Sequence, residues 1–231
     1  MKIKNDIVSC RTCVYRNLLF GDLNDIEYKL VNEGRQEIFF KRGEIIKNEG
    51  DPVDSFLYLR KGLVKLYKTD FNHKDHILSI NHPGDFVSLL SIFSEKEYKY
   101  TIAALEDTLV CLVDINVLKY LVSSNGQFSL RIMKKMSQIS DSIIESRFEQ
   151  SQKQVKGRVA HLLLYFANQV YHKNEFVLHL TRREIGELIS ITTENTIRTL
   201  SEFRRDGIID IDGKMISILD NDRLMSINNG G

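Results

Sequence analysis

Glu194 and Arg198 stand four residues apart in a segment where Thr196, Leu200 and Phe203 recur at helical spacing. Residues at that interval project side by side from a helix, and Thr193 and Ile197 also fall away from the Thr196/Leu200/Phe203 side. An arginine so placed can donate two hydrogen bonds to guanine O6 and N7, and a glutamate can accept one from cytosine N4. The same pair can equally close on itself as an exposed ion pair that reads nothing. Thr192 supplies a hydroxyl that can cap this helix at its start. Arg182 and Arg183, a short way upstream, are cations of the kind that contact phosphate.

Sulfur offers a second chemistry. Cys10 and Cys13 form a C-x2-C pair, and Cys111 lies far along the chain in Leu109-Val-Cys-Leu-Val113. Three cysteines are an odd count and no disulfide framework. Cys111 reads as a buried strand residue, and Cys10 with Cys13 as an exposed thiol pair or half of a zinc site. His73, His76 and His82 lie on or beside one hairpin, but their spacing does not force the convergence that a metal requires. His161 reads as a packing or surface residue.

The elements that must hold the Glu194/Arg198 face are legible around it. Thr181-Arg-Arg-Glu184 is a capping-box start, and Ile185, Leu188 and Ile189 give the helix after it one apolar face. After Ser190-Ile191 a second helix opens at Thr192 and ends at Gly207. Ile208–Ile211, Asp212-Gly213 and Lys214–Ile218 then read as two short strands around a hairpin turn. Two helices joined by a tight turn and followed by a hairpin make a winged helix-turn-helix.

Upstream, the pattern is different. A helix is predicted from Asn24 or Asp25 to Glu33, ended by Gly34. Short strands follow at Glu37–Phe40, Glu44–Lys47, Ser55–Arg60, Leu63–Thr69 and His76–Ile80, with glycine turns between them. A short helix at Val87–Phe93, strands at Tyr100–Leu105 and Thr108–Val113, and a helix at Asp114–Val122 complete an all-β sandwich or barrel with helical margins. From Phe128 to Phe148 apolar residues repeat at a period near 3.5, as in a helix that pairs with a second copy or packs on its own β domain. Val155–Val170 is a further apolar helix, and the polar tail Asn221–Gly231 is expected to fray.

The 231 residues are 42% hydrophobic, enough for two modest cores, and carry a net charge of +1, so no global positive field advertises nucleic acid. The basic residues instead cluster locally, at Arg182-Arg183 and Arg204-Arg205. The chain shows no 18-residue apolar run and no signal-peptide core at its start, which leads to the expectation of a cytoplasmic protein with no membrane partner.

The stretch Leu180 to Ile218 resembles the DNA-binding module of the Crp/Fnr family of bacterial transcription regulators. In that family TRxEIG opens the first helix, and a Glu and an Arg four apart, here Glu194 and Arg198, stand on the reading helix. The resemblance extends forward to GEIIKNEGDPVDSFLYLRKGLVKLY, Gly43 to Tyr67, which is similar to the glycine-cornered β-roll of cyclic-nucleotide-binding domains. It implies an α+β chain: residues 1–124 an antiparallel β-roll sensor (a double-stranded β-helix), 125–152 a dimerisation helix, and 153–231 a winged helix-turn-helix. It implies a homodimer on a palindromic operator, with RNA polymerase as a further partner. Arg182, Arg183, Thr192, Thr193, Glu194, Ile197 and Arg198 are then the DNA-binding residues. Two departures stand out. Ser190 occupies a turn where members often have Gly, and Ile197 replaces a small residue, so it can meet a thymine methyl.

The signal is less legible. Members that bind cyclic AMP hold its phosphate with an Arg-Ser pair. Here Glu95–Thr101 has neither, the preceding signature reads Gly84-Asp85-Phe86, and only Lys99 offers a point charge. The expected effector pocket falls at Leu89, Tyr98, Lys99 and Tyr100. Oxygen-sensing members hold a [4Fe–4S] cluster on four cysteines. Cys10, Cys13 and Cys111 match three, but Leu19 stands at the remaining position, so a cluster needs a fourth ligand such as Asp22 or Asp25. Two competing classes remain: a cupin-like metal enzyme, which would need a two-His-one-carboxylate set that is not evident, and an effector-independent DNA-binding protein.

Overall fold

The computed structural model describes residues 2–3, 10–14, 16–93 and 96–230. The chain divides into two compact units, Met1–Lys74 with Leu78–Asp141, and Asp75–Ile77 with Ser142–Gly231.

In chain order the first part holds β1 (Lys2–Ile3), α1 (Arg16–Leu19), α2 (Asp25–Glu33), β2 (Arg35–Phe40), β3 (Ile45–Lys47), β4 (Ser55–Lys61), β5 (Val64–Thr69), β6 (Asp75–Asn81), α3 (Leu89–Ile92), β7 (Thr101–Ala104), β8 (Thr108–Asp114) and α4 (Ile115–Ser124). The strands form two four-stranded sheets, β1-β2-β8-β4 and β3-β7-β5-β6. β8 pairs antiparallel with both β2 and β4, and β7 with both β3 and β5. Ile38, Leu57, Leu59 and Val110 from one sheet share a buried core with Val64, Leu66 and Ile102 from the other. Each such side chain contributes about 1.5–3 kcal/mol of burial. A second core joins the first sheet to the helices through Val31, Phe56, Leu89, Leu118, Leu121 and Phe128.

The glycine corners are real. Gly62 turns β4 into β5 with φ +90, and a Cβ there would lie 2.4 Å from Thr108 Oγ1 and 2.7 Å from Thr108 Cα. Only glycine meets both demands.

Helix α5 (Gly126–Gln152) runs for 27 residues, about 40 Å at 1.5 Å per residue. It starts ahead of its apolar repeat because its start is set by a polar group. Asn125 Oδ1 accepts from Phe128 N at 3.0 Å, and Asn125 Nδ2 donates to the Glu27 carboxylate at 3.0 and 3.1 Å. Phe128 and Ile132 are buried, whereas Leu130, Met133, Ile143, Ile144 and Phe148 are exposed.

The second unit contains α6 (Val155–Tyr165), which closes in a π turn at Phe166–Val170, then β9 (Glu175–Val177), α7 (Arg182–Leu188), α8 (Thr193–Arg205), β10 (Ile209–Asp212), β11 (Met215–Ile218) and α9 (Asn221–Gly230). Its sheet has the order β10-β11-β9. Two expectations are corrected. The wing has a third strand, β9, paired antiparallel with β11. The tail expected to fray is helical through Gly230: Leu224 is fully buried, and the Asp220 side chain accepts from Arg223 N at 2.9 Å as a cap.

Candidate nucleic-acid interface

The capping box predicted at Thr181 is formed. Glu184 N donates to Thr181 Oγ1 at 3.1 Å, and Thr181 N donates to Glu184 Oε2 at 2.9 Å. Gly186, one turn on, brings α7 against the start of α8. A Cβ there would lie 2.7 Å from the Ile191 carbonyl oxygen and 3.2 Å from Thr196 Oγ1. Ser190 takes the turn with φ 57, the left-handed conformation its position requires. Arg158 braces that turn from α6. Its Nη1 donates to the Ile189 and Ser190 carbonyls at 3.3 Å each, and its Nε donates to Lys153 O at 2.9 Å. Thr192 then caps α8 by accepting from Asn195 N at 3.2 Å.

Helix α8 is anchored by Thr196, Thr199, Leu200 and Phe203, all buried. Opposite them, Glu194, Ile197 and Arg198 are exposed, and Thr193 is half-buried. Ile197 is 50% exposed. The Glu194–Arg198 ion pair that the spacing permits is not formed. Arg198 Nη2 donates instead to Asn195 Oδ1 at 2.9 Å. The Glu194 carboxyl is held below the usual carboxylate range by its own backbone N–H and by the Thr192 hydroxyl. Asn195 as the partner of Arg198 is what sequence reasoning missed, although the i,i+3 spacing between them was there to be read.

The flanking cations are largely engaged by acids. Arg183 Nε donates to Glu187 Oε1 at 2.8 Å, which raises its pKa, while burial lowers that of half-buried Arg182. Arg204 pairs with Asp210 and Arg205 with Asp206, each at 3.2 Å. Lys156 of α6 pairs with Glu202 at 2.8 Å.

The other candidate residues sit in the first unit. Cys10 and Cys111 are buried in one core with Leu19, and Cys13 is half-buried. On β8, Cys111 lies opposite Glu37 of β2 and Tyr58 of β4. Burial pushes the Cys111 thiol up to about 12 and raises that of Cys10. Among the described residues no three His, Cys, Asp or Glu side chains gather as a metal site. An iron–sulfur cluster takes four thiolates, and three cysteines with the aliphatic, buried Leu19 do not supply them.

Of the four residues of the expected effector pocket, Leu89 and Tyr98 are buried, Tyr100 is half-buried and Lys99 is exposed. Tyr98 Oη donates to Ser55 O at 3.2 Å, and Tyr100 Oη and Ser91 Oγ share a hydrogen bond of 2.6 Å. The two rings meet edge-on with centroids 6.1 Å apart. Burial raises both phenol pKa values, so they stay neutral. Of the segment Glu95–Thr101, Glu95 lies outside the described residues.

A capped helix-turn-helix with a three-stranded wing, following an antiparallel β-roll and a long helix in the chain, defines a DNA-binding transcription regulator. Residues 37–125 match the cyclic nucleotide-binding domain and residues 157–227 the Crp-like helix-turn-helix domain. The chain belongs to the Crp/Fnr family of transcription regulators, not to a family of enzymes. It is 30% identical over 188 residues to Electron transport regulator A of Shewanella oneidensis, covering 80% of this chain and 75% of that one. It is 26% identical over 222 residues to the transcriptional activator protein anr of Pseudomonas aeruginosa, covering 94% and 89%. In fold it is similar to FixK2 from Bradyrhizobium japonicum, with a TM-score of 0.77 at 23% identity, covering 85% of this chain and 98% of that one. No helix among the described residues is long and apolar enough to cross a membrane.

Proposed function

We propose that this regulator acts in the cytoplasm as a homodimer on a palindromic operator. Residues 1–124 form its sensor, 125–152 its dimerisation helix and 153–231 its reader. Glu194, Ile197 and Arg198 contact bases. Arg182, Arg183, Thr192 and Thr193 hold the phosphates beside them. RNA polymerase is the second macromolecular partner. The observation that supports this reading best is the face of α8. A glutamate, an aliphatic and an arginine stand exposed there on a helix whose opposite face is fixed by four buried residues.

The chemistry assigns each a base. Arg198 matches guanine O6 and N7, Glu194 matches cytosine N4, and Ile197 matches the thymine methyl. The control of DNA binding is an equilibrium shift, in which a signal that favours the DNA-competent dimer raises its population. Relatives carry names such as anaerobic regulatory protein, but with Leu19 in place of a fourth cysteine the chain gives no support to a cluster as the signal here.

The test is operator selection followed by Arg198→Ala. The variant should lose about 1–3 kcal/mol on the selected site and relax preference at one G·C pair, with random-sequence binding unchanged. Equal loss on selected and random DNA would remove Arg198 from the base contacts. Arg183→Ala should instead weaken both and lower the salt slope by about 1.

A further inference from the structure

Arg198 stands between two acids of its own helix, Glu194 four residues before and Glu202 four residues after. Either interval is right for an ion pair that would tie up the guanidinium before DNA arrives. Neither pair is formed. Glu194 stands exposed, its carboxyl pKa lowered by its own backbone N–H and by the Thr192 hydroxyl. Glu202 is taken by Lys156 of α6 at 2.8 Å, leaving Arg198 only a through-space influence on it. The one hydrogen bond Arg198 makes among the described residues is to a neutral amide, Asn195 Oδ1, at 2.9 Å.

The asymmetry has a chemical consequence. An arginine bonded to a carboxylate must break that bond to reach guanine, and it arrives with its charge already neutralised. An arginine resting on an amide keeps its full charge. It also keeps four of its five N–H donors, enough for the bidentate fork. We propose that Asn195 and the Lys156–Glu202 ion pair are positioning groups that keep Arg198 charged, oriented and uncommitted for its base. Lys156 acts at a distance, by removing the acid that would otherwise capture Arg198. Asn195 acts directly, by limiting the rotamers of a side chain that otherwise has many. The inference rests on the reading of Arg198 as a base contact.

The experiment is a set of binding titrations of the full-length protein on its selected operator and on random DNA, with thermal unfolding as the folding control. Lys156→Met frees Glu202 and should weaken operator binding about two- to fivefold, the strength of an exposed ion pair. Random-DNA binding should be unchanged. Lys156→Met/Glu202→Gln should return operator binding to the wild-type value, because the freed acid is gone. Asn195→Ala should lose a similar factor on the operator, and nothing further when Arg198 is already alanine. If the double variant is not rescued, or if random DNA suffers equally, Lys156 is itself a phosphate contact and the proposal is overturned. If Asn195→Ala costs as much without Arg198 as with it, the amide is no positioning group for that side chain. Arg198→Ala with unaltered base preference fails the underlying reading and the proposal with it, a result distinct from the other two.

Discussion

At the scale of single residues, side-chain size and backbone conformation collide in the turn between the two helices of the helix-turn-helix. Ser190 holds φ 57 in the turn between α7 and α8, a conformation that costs a non-glycine residue about 1–2 kcal/mol. Arg158 offsets part of that cost by donating to the Ile189 and Ser190 carbonyls. Ser190→Gly is therefore expected to raise stability by about 0.5–1 kcal/mol in chemical denaturation, with operator affinity unchanged. A destabilised glycine variant would mean that the serine side chain contributes more than its strain removes. The thiols divide just as clearly. Cys10 and Cys111 are buried and Cys13 is half-buried, so an alkylating reagent at pH 8 should modify Cys13 in the native protein and the other two only after unfolding. Mass spectrometry of the tryptic peptides decides this. The raised Cys111 pKa also has a sign. The neutral thiol is the form the fold prefers, so its contribution is complete below pH about 9, the ordinary thiol range, and is lost as pH rises towards about 12.

At the scale of elements, Gly186 decides whether the two helices of the reader pack at all. A Cβ there would lie 2.7 Å from the Ile191 carbonyl oxygen, a backbone group with little freedom to yield. Gly186→Ala should lower the melting temperature and weaken binding to operator and random DNA together, since α8 as a whole is displaced. A variant with a wild-type melting temperature would show that the turn can shift without consequence. The legible elements were those that announce themselves locally. Thr181 and Glu184 close a capping box, Thr192 caps α8, and Thr196, Leu200 and Phe203 are its buried face. Strand β9 was illegible because Glu-Phe-Val is three residues long and becomes a strand only by pairing with β11, set by distant contacts. Helix α9 was misread because its composition is polar and a single residue, Leu224, carries its burial. Its signal was Asp220, a capping residue one position ahead of the helix, which polarity alone hid. The site divides in the same way. The exposure of Glu194, Ile197 and Arg198 followed from spacing, but the partner of each charge did not. The partner of Glu202 is Lys156, forty-six positions upstream on another helix, which no spacing within α8 reveals.

At the scale of the whole molecule, the long helix carries apolar surface that the described chain leaves bare. Leu130 is 59% exposed, Met133 54%, Ile144 68% and Phe148 65%, on a helix of 27 residues whose Phe128 and Ile132 are buried within the chain. Water around that many large side chains is costly, and a second copy of the same helix related by two-fold symmetry would remove it, each stripe covering the other. The dimer would also set the geometry of recognition, because two-fold symmetry in the protein matches two half-sites about one helical turn apart in DNA. The expected outcome follows for Ile144→Glu/Phe148→Glu. Charges facing each other across the seam should yield a folded monomer in sedimentation experiments, with an unchanged circular dichroism spectrum. Operator binding should fall at least a hundredfold, while an isolated half-site should be bound no worse than by the wild type, since the reading face of α8 is untouched. A double variant that still sediments as a dimer would place the interface elsewhere. One that is monomeric yet binds the full operator normally would separate dimerisation from recognition altogether.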